Sequence, residues 1–147
     1  EEVNVIVVST KTIPQGIAAV SQFSPDLSPE ENLVNMKEVI KHIQTCEITY
    51  AIKDTTMNGV SIKKDNFMAI ANKKVLCCES KAEKALEKSL KKMIKDDNYL
   101  ATIFVGRDVD EKTFNHLSRE LPDMYPSIEF DIRRGDQPVY SYLIGIE

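Results

Sequence analysis

The sequence predicts a short α/β segment over residues 1–45 followed by an α+β domain over residues 46–147, a mixed sheet with helices packed on it. Three observations lead there. Val3-Asn4-Val5-Ile6-Val7-Val8 is a β-branched run, apolar on both faces as in a buried parallel strand, and it feeds a polar loop and a short apolar helix. From Thr45 the patterns follow the order β-β-β-α-β-α-β-β. Ser127–Arg133 then alternates with period two: Ile128, Phe130 and Ile132 on one face, Glu129, Asp131 and Arg133 on the other.

The first run enters the polar loop Ser9-Thr10-Lys11-Thr12-Ile13-Pro14-Gln15-Gly16, and a helix is expected from about Ile17 to Phe23. Strand, loop and helix make half of a β-α-β unit, so the other strands of that sheet must come from elsewhere. Residues 1–45 therefore read as a truncated subdomain in which Val5 and Val7 lack strand neighbours. Ser28-Pro29-Glu30-Glu31 opens a second helix: Ser28 caps, Pro29 suits the first turn, and Glu31 closes a capping box. Leu33, Met36, Ile40 and Ile43 form its apolar stripe, and Lys41 and His42 sit where the helix dipole favours cations.

A strand pattern covers Thr45–Ile52, and Met57-Asn58-Gly59 is a turn signal because Asn and Gly tolerate positive φ. Phe67–Ala71 and Lys74–Cys78 flank Asn72-Lys73 as a hairpin. Ser80 with Glu83 predicts a second capping box, opening a helix to about Lys95 with Ala82, Leu86, Leu90 and Met93 inward and the lysines in water. Tyr99–Val105, apolar on both sides, is a central strand. Asp108 with Glu111 opens a further helix, with Phe114, Leu117 and Leu121 inward and Pro122 as its stop. Gly135-Asp136 turns the chain into a last strand, Val139–Ile146.

At 147 residues, 42% hydrophobic and 29% charged, the chain has the composition of a globular protein with a modest core. No apolar run approaches the roughly 20 residues of a membrane helix. The chain opens with Glu1-Glu2, without Met, a basic region or the apolar core of a signal peptide, as expected of a cytoplasmic piece of a larger protein. Cys46, Cys77 and Cys78 are odd in number and lack metal-ligand spacing, so reduced, buried thiols are predicted. The net charge of −4 is unevenly spread: residues 63–95 carry ten Lys against four acids, residues 96–136 ten acids against five Arg and Lys. A net acidic chain argues against nucleic acid as a partner, whereas acidic segments can steer a basic protein.

No phosphate-binding loop, paired-glycine fingerprint, His-Glu-x-x-His or Gly-x-Ser-x-Gly motif occurs, so no catalytic residue and no metal site is assigned. Gly106 follows a strand and precedes a helix, but Asp108, Asp110 and Glu111 would repel a phosphate there. His42 and His116 read as helix-surface residues, and Arg134-Gly135-Asp136 as a turn rather than an adhesion tripeptide. Two polar loops stand out by position. Thr10–Gly16 follows a buried strand, where open α/β sheets gather ligands, and Lys53–Gly59 follows another. Turn chemistry, with Thr and Asp capping their own backbone, competes with a functional role in both.

Thr10-Lys11-Thr12-Ile13-Pro14-Gln15-Gly16-Ile17-Ala18-Ala19 resembles a motif of the catalytic component of two-component fatty acid kinases, a family of DAK2-domain proteins (FakA-like). Glu47–Thr56 and Ile62–Phe67 are similar to further stretches of it, and Gly135–Leu143 to its carboxy-terminal tail. The positions that carry these likenesses are Thr10, Thr12, Gln15, Gly16, Asp54, Thr55, Thr56 and Gln137. The resemblance implies a parent enzyme that phosphorylates a fatty acid to an acyl-phosphate for phospholipid synthesis, while a separate DegV-like carrier (FakB-like) holds the fatty acid. It implies ATP and Mg²⁺ in a kinase domain that is not part of this chain, and no cofactor within the chain itself. It also implies a distantly DegV-like arrangement of two subdomains. The carrier family surrounds its acyl carboxylate with small hydroxyl residues and glycines. Here Ile13-Pro14-Gln15-Gly16 stands in that place, and Asn58-Gly59-Val60-Ser61-Ile62 lacks the Arg of the carrier's corresponding stretch.

The expected function is that of a non-catalytic domain whose partners are the fatty-acid-binding carrier and the remaining domains of the kinase, with no nucleic acid and no membrane span. An acyl-binding module that keeps part of the carrier's role is the alternative. Docking is expected at Asp108, Asp110, Glu111, Glu129 and Asp131, acids that open a helix or line the outward face of a strand.

Overall fold

A computed structural model describes residues 3–147, which divide into two compact units, the first ending at Ile43 and the second spanning Gln44–Glu147. The first unit pairs helices α1 (Ile13–Ser21) and α2 (Pro29–His42). Ahead of them Val3–Ser9 forms no ladder, and its backbone groups have no hydrogen-bond partner among the described residues. The expected strand is thus an apolar segment without a sheet, because a strand exists only where a neighbour accepts its N–H groups.

Helix α1 starts one turn earlier than its apolar pattern predicts. The Thr12 hydroxyl accepts from Gln15 N at 3.3 Å, and Gln15 Oε1 accepts from Lys11 N at 2.9 Å, so the stretch that read as a loop is a capped helix start. Pro14 fits this first turn because its missing N–H would have had no helical partner. In α2 the predicted capping box forms. The Ser28 hydroxyl accepts from Glu31 N at 3.2 Å while the Glu31 carboxylate accepts from Ser28 N at 2.9 Å, and the bonds from Ser28 hold Glu31 below the usual carboxylate range. Lys41 and His42 both reach Glu38, at 2.9 and 3.0 Å. Asn32 is the buried polar residue of α2: its Oδ1 accepts from Ser24 N at 2.8 Å, and its Nδ2 donates to the carbonyls of Ser24, Leu27 and Ser28.

The second unit runs β1 (Gln44–Tyr50), β2 (Thr55–Met57), β3 (Val60–Ile62), β4 (Phe67–Ala71), β5 (Lys74–Glu79), α3 (Ala82–Met93), β6 (Leu100–Val105), α4 (Glu111–Met124), β7 (Glu129–Arg134) and β8 (Tyr140–Ile146). Six strands form one mixed sheet in the order β5-β4-β1-β8-β6-β7, and β2 pairs with β3 as a separate ribbon. Within the large sheet β6 and β7 are parallel and the other neighbours antiparallel. The predicted α+β architecture is therefore present, with the β2–β3 ribbon inserted at the Asn58-Gly59 turn signal. Asn58 and Gly59 have φ of 52° and 77°, Asn72 and Lys73 of 50° and 63°, the paired positive values that match a two-residue turn to the twist of its strands. The Asn58 side chain accepts from Val75 N at 3.3 Å, and Ala51, Ile62 and Val75 form a small second core with Met68 and Ile70.

The main core lies on the helix-covered face. Cys46 and Ile48, Ile103 and Val105, and Tyr142, Ile144 and Ile146 meet Leu86 and Leu90 of α3 and Leu117 and Leu121 of α4 there. Cys46 and Cys77 are buried free thiols and Cys78 is half-buried; burial pushes the Cys46 thiol up to about 12, where it is unreactive.

Three helix boundaries differ from the sequence reading. Lys81, not Ser80, precedes α3 and makes no side-chain cap bond, because β5 runs to Glu79 and the chain needs both following residues to leave the sheet. Asp110 rather than Asp108 caps α4, accepting from Thr113 N at 2.7 Å, and that bond lowers its pKa. Pro122 does not stop α4, which continues to Met124 while Tyr125 N closes on the Leu121 carbonyl at 3.1 Å. A proline in the last turn forfeits one backbone bond, which a well-buried helix survives. The final strand begins at Tyr140 because Val139 has φ 72°. None of the described helices is long and apolar enough to cross a membrane.

Candidate functional site

The pairings orient β1, β5, β6 and β7 alike, so their carboxyl ends share one edge of the sheet with the starts of α3, α4 and β8. Open parallel α/β sheets present functional loops at such an edge; here β6 and β7 are the parallel pair that ends there. There the β6–α4 junction, Gly106-Arg107-Asp108-Val109-Asp110, is tied to the β7–β8 connection by a dense set of bonds. Gly106 N donates to the Ser141 carbonyl at 2.8 Å and Arg107 N to the Gln137 carbonyl at 3.2 Å. Gln137 Nε2 donates to the carbonyls of Phe104 and Tyr140, at 2.9 and 3.2 Å. The buried Ser141 hydroxyl donates to Asp108 Oδ2 at 2.6 Å.

Arg134 is the centre of this lattice. Its Nη1 donates to the Val109 carbonyl at 2.6 Å and the Gly106 carbonyl at 3.3 Å, and its Nη2 meets Glu111 Oε2 at 3.0 Å. Its guanidinium also lies 4.8 Å from the centre of the Phe114 ring. Gly106 makes the close approach possible: a Cβ there would lie 2.2 Å from the Tyr140 carbonyl oxygen. Val139, a β-branched residue with φ 72°, is held in an uncommon conformation by Thr49 Oγ1, which donates to its carbonyl at 2.9 Å.

Beneath the edge, the Tyr142 side chain is fully buried and its hydroxyl has no partner among the described residues. Burial raises its pKa, and the charges of Glu83 and Asp108 raise it further, so the phenol stays protonated. An unpartnered buried hydroxyl costs about 1–3 kcal/mol. Tyr142→Phe is therefore expected to leave stability unchanged or to raise it by up to about 2 kcal/mol, read as the denaturant midpoint. A lowered midpoint would mean that a trapped water satisfies the hydroxyl.

The structure brings Asp108, Asp110 and Glu111 together at this edge, all exposed. It does not bring Glu129 and Asp131 to them. Those two lie on the face of β7 opposite Phe130 and Ile132, and Glu129 pairs with Leu100 at the far end of the strand from Arg134. Five residues of strand separate Glu129 from that edge by about 16 Å and three separate Asp131 from it by about 10 Å, roughly two and one Debye lengths at physiological salt. Asp131 is also held by Arg133 Nε, at 2.8 Å.

The remaining motif residues have visible local roles. Thr12 and Gln15 cap α1, and the Thr10 hydroxyl lies 3.6 Å from where a Gly16 Cβ would stand. Asp54 accepts from Lys64 N at 2.7 Å, while Thr55 and Thr56 pair with Ile62 and Ser61 in the exposed ribbon. Sequence reasoning missed Arg134, Ser141 and Tyr142, whose roles arise only when distant loops meet. It also overlooked Glu120, one turn beyond His116 and 4.0 Å from it, a pairing that the spacing alone could have revealed. Among the described residues no group of three or more His, Cys, Asp or Glu could hold a metal ion. What the edge offers chemically is exposed carboxylates on a locked backbone.

A family model for the C-terminal region of FakA-like fatty acid kinases matches residues 1–147. Uncharacterized proteins from Staphylococcus aureus strains MRSA252 and USA300 are each 32% identical over 142 residues, 97% of this chain and 26% of their own length. One from Staphylococcus epidermidis is 33% identical over 146 residues, 99% of this chain and 26% of its own. The chain thus spans about a quarter of the length of the curated relatives it matches.

Proposed function

Because the chain belongs to the FakA-like C-terminal family of fatty acid kinases, we propose that it is the docking domain of a cytoplasmic fatty acid kinase, receiving the protein that carries the fatty acid. Phosphotransfer, with its ATP and Mg²⁺, is assigned to other domains of the same polypeptide. The two-unit division of this chain is compatible with a DegV-like arrangement whose first subdomain is incomplete here.

The observation that carries the docking role is a set of locked carboxylates at this edge, interleaved with Arg107, Lys112 and Arg134. Asp108, Asp110 and Glu111 face water, yet the bonds to Ser141, Thr113 and Arg134 fix all three. A basic partner that meets fixed carboxylates loses little further side-chain entropy in ordering them, and opposite charge speeds encounter.

The test is association with the acyl carrier at low and high salt, using two sets of variants. Asp108→Asn with Glu111→Gln removes charge but keeps both hydrogen-bond acceptors, and should weaken binding about tenfold at low salt. Glu129→Lys with Asp131→Lys should have a smaller effect, given the distance. Binding that ignores salt and both sets of variants would place docking elsewhere.

A further inference from the structure

The first unit carries an apolar surface that its own helices leave uncovered. Asn4, Ile6 and Val8 line an open groove of about 290 Å³ together with Phe23, Leu33 and Met36, so one face of the leading segment lies over the α2 stripe. The other face points away from it: Val3, Val5 and Val7 are 81%, 75% and 75% exposed. Both backbone edges of the segment are unpaired among the described residues. Helix α1 shows the same incompleteness, with Ile13, Ile17 and Val20 exposed at helical spacing along one side. Scattered exposed apolar residues are ordinary, but an alternating run of exposed β-branched residues and an exposed helical stripe in one small unit are of the kind that marks an interaction surface.

We propose that Val3–Val8 is an interior strand of a sheet whose other strands are supplied by the polypeptide preceding this chain in the full-length protein. One observation and one physical argument select that occupant over a second copy or a separate partner. The matched family is a C-terminal one, and the relatives that the chain matches are about four times longer than the aligned stretch, so a C-terminal piece of such a protein has ample chain before it. A strand on the same polypeptide also acts at an effective concentration in the millimolar range, which a free partner rarely reaches. A run apolar on both faces is what a strand covered on both sides requires. The groove offers little to a polar head group, because the buried amide of Asn32 is committed to the carbonyls of Ser24, Leu27 and Ser28.

The experiment is hydrogen–deuterium exchange on the full-length gene product that contains this sequence, without carrier, so that its outcome is independent of the docking proposal. Amides 4–8 should exchange at least a hundredfold more slowly than those of the exposed 52–54 connection, which donate no hydrogen bond among the described residues. Val5→Lys with Val7→Lys should abolish that protection while the β1 and β8 amides remain slow. Three results overturn the proposal: exchange of residues 4–8 as fast as the connection, protection that grows with protein concentration and so reports a second copy, or protection that appears only when another protein is added. If the double variant fails to fold, the wild-type exchange alone decides.

Discussion

Gly106→Ala is expected to destabilise the second unit by about 3 kcal/mol or more, one of the two largest losses anticipated for a single substitution in it. The added Cβ would lie 2.2 Å from the Tyr140 carbonyl oxygen, 2.9 Å from Asp108 Oδ1 and 3.1 Å from the Gln137 carbonyl oxygen. Two of these neighbours are backbone, so rotating a side chain cannot relieve the clash. The start of β8 must withdraw instead. That movement stretches the Gly106–Ser141 backbone bond at 2.8 Å and the Ser141–Asp108 bond at 2.6 Å, and it disturbs Gln137. Each hydrogen bond contributes about 1 kcal/mol and the overlap adds its own strain. The melting temperature should fall by about 4–8 °C per kcal/mol in a unit of this size. Stability within about 0.5 kcal/mol of wild type would show that the edge opens freely and that its carboxylates are not fixed.

Leu90→Ala is expected to cost about 3–5 kcal/mol. Leu90 is fully buried in the main core, where α3 crosses the sheet beside Leu86 and Met93. Removing its branched end forfeits transfer free energy and leaves a cavity that a helix anchored over four strands cannot collapse. Lys91→Ala, at the exposed neighbouring position, should change stability by less than about 0.5 kcal/mol. Equal effects at the two positions would mean that α3 does not carry the core.

Much of the second unit was legible because its signals are local. Asn58-Gly59 and Asn72-Lys73 specify tight turns through their own φ preferences, and Leu86, Leu90 and Met93 recur with the period of a helix. Capping was less legible where a sheet constrains the approach. Ser80 and Asp108 are good caps by type, yet β5 and the bond from Ser141 place Lys81 and Asp110 at the helix starts instead. Thr12 and Gln15 show the converse: their capping pattern was in view, but the following Ile-Pro concealed that the helix had begun. The candidate site was half legible. Its acids could be read, but the fixing of them by Arg134 depends on the carbonyls of Gly106 and Val109, distant in sequence. The separation of Glu129 from those acids follows from the parallel register of β6 and β7, which no local pattern encodes.

The placement of β8 between β1 and β6 governs how the second unit can be built. Until Tyr140–Ile146 is available, the sheet exists only as two fragments, β5-β4-β1 and β6-β7. Each has an unpaired inner edge, on β1 and β6. The pairing of Gln44 with Ile146 joins nearly the two ends of the unit, so the closing step carries a large loop-closure cost and belongs to the slow class of folding events. In the interval, β1 and β6 each keep one edge unpaired, open to pairing with other nascent chains. A chain cut short of residues 140–146 would leave both of those edges open.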